Sequence, residues 1–106
     1  MTTQVFTAPE AEAQLAAALS WWRTANPAAP SLLLDEFQEA VQLISETPEV
    51  GPAFTRTTIP GVRRLLLRRV KHWVYYMYDA RHAVAYVLAV WSARRGTPPP
   101  GVSPRP

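Results

Sequence analysis

The chain of 106 residues contains no cysteine. This absence excludes disulfide bonds, zinc sites built on thiolates and catalysis by a cysteine nucleophile. The two histidines, His72 and His82, stand in different contexts, and no neighbouring residue completes a spacing typical of a metal site. No serine lies in a pattern that resembles a nucleophile elbow. We therefore expect no cofactor and no resident metal.

The sequence also lacks the apolar stretches that membranes require. Its longest apolar run, Ala83 to Trp91, is far shorter than the roughly 20 residues that span a bilayer. The N-terminus shows no positively charged segment followed by an apolar one, so we expect no signal peptide. The length and the 48% hydrophobic content are typical of one globular domain. These features predict a cytoplasmic protein with no membrane partner.

Acidic residues are nearly absent from the second half of the chain. Residues 56–106 carry ten Lys or Arg side chains against one carboxylate, Asp79, whereas residues 1–55 carry seven carboxylates against Arg23 alone. The second half therefore presents a basic surface that attracts an acidic partner. Nucleic acid, an acidic protein segment and the chain's own acidic half all fit this description.

A short strand within Thr2 to Thr7 precedes two predicted helices. The first helix begins at Thr7-Ala8-Pro9-Glu10, where Thr7 can cap and Glu10 can complete a capping box, and it ends at Asn26-Pro27. The second begins after Ser31, ends at Thr47-Pro48 and has a face of helically spaced apolar residues: Leu34, Phe37, Val41 and Ile44. Because so few residues join the helices, we expect them to form an antiparallel hairpin.

Three further strands are predicted in the second half, at Val62 to Val70, Trp73 to Tyr78 and Ala83 to Trp91. The polar segment from Asp79 to His82 suits a turn between the last two. The last strand is apolar on both faces, which is typical of a strand in the middle of a covered sheet. By simple alternation one face holds Val84, Tyr86, Leu88 and Val90, and the other holds Ala85, Val87, Ala89 and Trp91.

The predicted fold class is α+β: an N-terminal strand, a helical hairpin, then a three-stranded antiparallel meander that completes one sheet. Residues 1–95 would form a single domain. Residues 96–106 contain five prolines and two glycines, with Val102 as the only large apolar side chain. We expect this tail to be flexible and to pack no core.

Particular segments of this chain carry a resemblance to a known family. They are the strand Val5-Phe6-Thr7 before a Pro-Glu helix start, Trp22, the turn from Pro48 to Gly51, Gly61-Val62-Arg63-Arg64-Leu65, Val74-Tyr75-Tyr76, and Val87 to Trp91 followed by Arg94-Arg95. In this order and at this length they resemble the RelE/ParE superfamily, the toxins of bacterial type II toxin–antitoxin modules, including those that stabilise plasmids. The resemblance implies neutralisation by a cognate antitoxin.

The segment after Arg95 favours one branch of that superfamily, with the RelE-like endoribonuclease as the alternative. RelE-like members cut messenger RNA on the ribosome and need a proton-transfer residue near this point, but Gly96 to Pro106 offers no Tyr, His, Asp or Glu. The prolines after Arg95-Gly96 are more similar to the ParE-like branch. That branch implies a non-enzymatic inhibitor of DNA gyrase with a ParD-like antitoxin. Many ParE relatives carry a histidine near Ser92, and this departure favours a third interpretation, a non-toxic binding module.

Cations and aromatic residues supply the candidate binding site. We expect the target or the antitoxin to contact eight residues of the second half: Arg63, Arg64, Arg68, Arg69, Lys71, Trp91, Arg94 and Arg95. The alternative is a solvated edge strand that charge protects from aggregation. Aromatics interleaved with cations are also typical of single-strand nucleic-acid platforms, a less favoured interpretation than a packed core. Tyr76 is expected to be buried with its hydroxyl bonded rather than catalytic.

Overall fold

The computed structural model describes residues 2–102, which form six elements around one sheet. In chain order these are β1 (Gln4–Thr7), α1 (Pro9–Ala25), α2 (Leu32–Glu46), β2 (Val62–Leu67), β3 (His72–Asp79) and β4 (Val84–Ser92). The strands lie in the order β1-β4-β3-β2. This arrangement confirms the predicted fold class. Within residues 2–102, no helix is both long enough and apolar enough to cross a membrane.

The sheet is mixed, because the first and last strands of the chain pair in parallel. β1 runs parallel to β4, with Gln4 opposite Val84 and Thr7 opposite Val87. β2, β3 and β4 form the antiparallel meander. The prediction that the last strand lies inside the sheet is confirmed, since β4 has β1 on one side and β3 on the other. Such a strand needs apolar side chains on both faces.

A bulge in β4 changes which side chains share a face. Tyr76 pairs with Val87 but Tyr75 pairs with Ala89, so Leu88 is an extra residue. Ala85, Val87 and Val90 therefore join the core under the helices, whereas Leu88, Ala89 and Trp91 lie against the opposite face. The alternation predicted for this strand holds to Leu88 and is wrong from Ala89 onward, because one inserted residue reverses the period of two.

The helices cover one face of the sheet, α1 mainly over β4 and α2 over β1 and β2. α2 buries Leu33, Phe37, Ala40 and Ile44. Leu34 is exposed, so the predicted apolar face was wrong by about one residue at its start. The larger core lies between these helices and the sheet, and a smaller one on the opposite face centres on Phe54, Val62, Tyr75, Ala89 and Val102.

The predicted helix caps are not formed. Thr7 belongs to β1, and the N-cap of α1 is Ala8, whose N–H donates to the Val87 carbonyl at 2.9 Å. Pairing with β4 thus continues up to Ala8, so Thr7 stands one residue before the N-cap, inside the strand. Ser31 does stand at the N-cap of α2, but its hydroxyl bonds the Asp35 carboxylate at 3.2 Å instead of the backbone.

The C-terminal segment packs against the sheet. Val102 is 1% exposed within the smaller core, and Pro99 is also fully buried. The expectation that the tail packs no core is therefore wrong at Val102, which lies in the smaller core, whereas Gly96, Thr97, Pro100 and Gly101 are exposed. Residues 103–106 lie outside the described residues.

Candidate functional site

Four of the predicted site cations come together at one end of the sheet. The β2–β3 turn carries Arg69 and Lys71, and the segment after β4 carries Arg94 and Arg95. These segments meet because the Ala93 N–H donates to the Lys71 carbonyl at 2.8 Å. Lys71 adopts a φ of 55°, which tightens the turn. A cavity of about 320 Å³ at this end is lined by Arg69, Lys71 and Arg94.

Arg69 is held in place by α2. The carboxylate of Glu36, which is almost buried, accepts hydrogen bonds from the Arg69 backbone N–H at 3.2 Å and from its Nε at 2.9 Å. Glu39 lies farther away, at 3.8 Å from Nη2, and is exposed. The buried carboxylate therefore fixes the β2–β3 turn to the helix, while the outer part of the guanidinium stays accessible.

Arg95 is oriented by an aromatic ring rather than by a carboxylate. Its Cζ lies 4.1 Å from the centre of the Trp91 ring. Trp91 is itself fixed by a hydrogen bond of 2.9 Å from its Nε1 to the Thr97 carbonyl. Within residues 2–102 the guanidinium makes no hydrogen bond or ion pair, so its donors remain available to an anionic partner.

Arg63 and Arg64 take structural positions instead. Arg63 donates to the carbonyls of Glu49 and Gly51, at 3.1 and 2.8 Å, and also pairs with the Glu49 carboxylate. Arg64 lies on the sheet face opposite the helices, 3.9 Å from the centre of the Trp73 ring and 3.2 Å from the Tyr75 hydroxyl. Arg68 is exposed in the turn after β2. These three cations do not line the cavities at the end of the sheet.

The aromatic residues are mostly core. Tyr75 and Tyr76 are buried, and the ring faces of Trp73 and Trp91 are covered by guanidinium groups. The Tyr76 hydroxyl donates to the Pro48 carbonyl at 2.7 Å and accepts from the Gly51 N–H at 2.9 Å. Burial raises the pKa of Tyr76 above its usual value. The prediction of a buried, bonded tyrosine is confirmed.

His72 is a site residue that sequence reasoning missed. It is the first residue of β3, is buried, and pairs across the sheet with Ser92. Its Nδ1 lies 2.8 Å from the Val70 carbonyl, which can only accept, so Nδ1 carries the proton. Nε2 is then an acceptor in the neutral ring. The pairing register of the β3–β4 hairpin was the signal that could have placed His72 beside Ser92.

Within the described residues, acidic side chains do not line the two cavities next to His72 at this end of the sheet. Nor do three His, Asp or Glu side chains of residues 2–102 lie close enough together to hold a metal ion. A cleft lined by cations, an imidazole and indoles suits an anionic partner rather than a metal.

Comparisons with known proteins agree with this architecture. The profile of the family described as "ParE toxin of type II toxin-antitoxin system, parDE" matches residues 5–96. The fold is similar to that of the chromosomal ParDE toxin–antitoxin system from P. aeruginosa, with a TM-score of 0.68, 18% identity, and coverage of 87% of this chain and 97% of that one. No curated protein sequence matches the chain.

RelE-type structures share the fold as well. The RelBE2 toxin–antitoxin complex from Mycobacterium tuberculosis gives a TM-score of 0.58 at 22% identity, covering 88% of this chain and 94% of that one. A mutant of the E. coli toxin RelE in the free state gives 0.55 at 17% identity, covering 89% and 86%. Identities this low show a shared fold only. Because the ParE profile matches most of the sequence, the chain belongs to the ParE toxin family of type II toxin–antitoxin systems.

Proposed function

We propose that this toxin acts by binding DNA gyrase, without catalysing a reaction, and that a cognate ParD-like antitoxin neutralises it. The match of the ParE profile over residues 5–96 carries the proposal. The similarity to the P. aeruginosa ParDE system, at a TM-score of 0.68 against 0.58 and 0.55 for the RelE-type structures, supports the same branch. Gyrase would be the target of the basic end of the sheet.

The contact surface in this proposal centres on Arg95. Its guanidinium is oriented by Trp91 yet makes no hydrogen bond or ion pair within residues 2–102. Arg94 and Lys71 are exposed beside it and extend the positive surface. Arg69 adds a fourth charge to this surface. Arg63, Arg64 and Arg68 lie elsewhere on the sheet and its turns, so in this proposal they do not contact gyrase through the same surface. Direct binding of nucleic acid by this surface is the less favoured alternative.

A binding measurement with purified gyrase tests the contact. Arg95→Ala should weaken binding about tenfold or more, as expected for one well-oriented charged contact. Arg81→Ala is the matched control, because Arg81 is exposed in the β3–β4 turn at the opposite end of the sheet. Equal weakening by both variants would mean that net charge matters and the Arg95 site does not.

The antitoxin would cover basic and apolar surface together. An extended acidic and hydrophobic segment that orders on binding fits the exposed cations and the exposed apolar side chains, which include Phe6, Trp21 and Tyr86. Size-exclusion chromatography at physiological salt, with the product of the adjacent gene, should show a complex. A monomer whose elution is unchanged by that product would contradict this part of the proposal.

A second candidate, a RelE-like ribosome-dependent endoribonuclease, is favoured by His72. Cleavage needs cations for the phosphate and a group that accepts a proton. The imidazole of His72 lines the same cavity as Arg69, Lys71 and Arg94. Translation reactions containing the protein should accumulate cut messenger RNA if this candidate holds, and His72→Gln should abolish the cuts. Intact messenger RNA at toxic concentrations of the protein would exclude it.

A further inference from the structure

A second cavity, of about 390 Å³, lies between the second half of α1 and the C-terminal end of β4. Its volume falls within the roughly 300–1,000 Å³ of typical small-molecule sites. The lining combines aromatic rings with polar groups: Gln14, Trp21, His72, Trp91, Ser92 and Arg95.

Two of these polar groups have unused hydrogen-bonding capacity. The guanidinium of Arg95 is held over Trp91 but makes no hydrogen bond or ion pair with a described residue. His72 is 5% exposed, and its Nε2 makes no hydrogen bond within residues 2–102. Since no fully buried side-chain N or O atom of the described residues lacks a partner, Nε2 must be partly open to solvent, and His72 lines this cavity and the adjoining one. The cavity thus offers one cationic donor and one acceptor.

The charge around the cavity selects an anion. Among the described residues no Asp or Glu lines it. The adjoining cavity shares Trp21, His72 and Ser92 with it and adds three cations, Arg69, Lys71 and Arg94. Glu36 and Glu39 offset the charge of Arg69, but Lys71, Arg94 and Arg95 have no ion pair within residues 2–102, so an anionic group would enter a positive potential.

The wall formed by α1 supplies a flat apolar surface. Trp21 is 51% exposed, and its ring centre lies 6.3 Å from that of His72. An exposed indole beside a cationic cleft is suited to stack a planar heterocycle. Trp21, His72 and Arg95 all line this one cavity, so a single ligand could contact all three.

We infer that this cavity binds a mononucleotide. Arg95 takes the phosphate, Trp21 stacks the base, and His72 Nε2 accepts an N–H or O–H of the base or sugar. Binding here requires no contact with gyrase and can be measured on the toxin alone.

The test is a titration of the ¹⁵N-labelled protein with AMP, CMP, GMP and UMP, followed through the indole and imidazole signals. At least one nucleotide should saturate, with the largest shifts at Trp21 and His72. Inorganic phosphate and the matching nucleoside should each bind at least about tenfold more weakly than the nucleotide. Phosphate lacks the base that stacks on Trp21, and the nucleoside lacks the phosphate that Arg95 contacts. Absence of saturation at millimolar concentrations, or equal binding of phosphate alone, would overturn the inference.

Variants locate the site. Arg95→Gln should weaken nucleotide binding about tenfold, because it removes the charge and keeps the length of the side chain. Arg81→Gln should leave binding unchanged, since Arg81 lies in the β3–β4 turn away from the cavity. If the two variants bind alike, the nucleotide is not held by Arg95 and the assigned site is wrong.

Discussion

Tyr76 holds the turn after α2 through two hydrogen bonds, one to the Pro48 carbonyl and one from the Gly51 N–H. Tyr76→Phe should lower the free energy of unfolding by about 1–3 kcal/mol, because both backbone groups lose a buried partner. The pKa of Tyr76 is raised by burial. The folded state therefore keeps this proton to higher pH than the unfolded chain, whose tyrosines titrate at about pH 10.

The stability contributed by this proton is complete below about pH 10 and is lost as the pH rises through and above that value. Denaturant unfolding between neutral and alkaline pH should show a shallower decline in Tyr76→Phe than in the parent. Tyr78→Phe is the control, because the Tyr78 hydroxyl bonds no residue within 2–102. Parallel alkaline profiles for the parent and Tyr76→Phe would refute this account of the tyrosine.

Gly51 is required by close packing against the same tyrosine. A Cβ at this position would lie 2.9 Å from the Arg64 carbonyl oxygen and 2.9 Å from the Tyr76 hydroxyl. Gly51→Ala should therefore destabilise the fold by about 1–3 kcal/mol through overpacking. Gly96→Ala should have almost no effect, since a Cβ there meets nothing within 4 Å. Thermal unfolding of the two variants distinguishes them, and similar midpoints would contradict the proposed clash.

For single residues, the sequence predicted the burial of a side chain but not which residues it contacts across the sheet. The buried hydroxyl of Tyr76 follows from its place in an apolar strand. The role of His72 does not, because it depends on the cross-strand pairing with Ser92. Likewise, nothing in the sequence separates Arg95, whose guanidinium is available, from Arg63, whose guanidinium is used by a turn.

Among the elements, the β2–β3 turn depends on α2 through one carboxylate. Glu36→Ala should cost about 1–3 kcal/mol, because the backbone N–H and Nε of Arg69 lose their acceptor. Glu39→Ala, on the same helix and exposed at 3.8 Å from Arg69, should cost about 0–1 kcal/mol. Denaturant unfolding measures both. If the Glu39 variant is the less stable of the two, the exposed pair and not the buried one fixes the turn.

The C-terminal segment is a second element whose role can be measured. Val102→Ala removes two buried methyl groups from the smaller core and should cost about 1.6 kcal/mol, at ~0.8 kcal/mol for each group. Thr97→Ala keeps the carbonyl that Trp91 bonds and alters only an exposed side chain, so it should be neutral. A Val102 variant as stable as the parent would restore the prediction of an unpacked tail.

The helices and strands were predictable from the periodicity of apolar residues. The ends of the two helices were predictable from the turn residues Asn26-Pro27 and Thr47-Pro48. The Leu88 bulge was not, because an extra residue in an apolar strand leaves the composition unchanged. The packing of Val102 was also not predictable, because a proline-rich composition is typical of flexible segments and does not show that a sheet face lies within reach of this valine.

At the scale of the whole molecule, the acidic half of the chain neutralises little of the basic half. Within residues 2–102, ion pairs engage only Arg63 and Arg69 among the Lys and Arg side chains, with Glu49 as one partner and Glu36 and Glu39 as the others. Arg94, Arg95 and Lys71 remain exposed together at one end of the sheet. The chain's own acidic half therefore neutralises little of the basic surface, and these three cations stay accessible to an external acidic partner.

The central claim is that this ParE-family toxin acts on gyrase by binding. Its most direct test is DNA supercoiling by purified gyrase with the protein added, scored both for lost supercoiling and for accumulated cleaved DNA. The account predicts inhibition with cleaved complexes by the parent and a clearly weaker effect of Arg95→Ala. Unchanged supercoiling at high molar excess of a protein shown to be folded would contradict it.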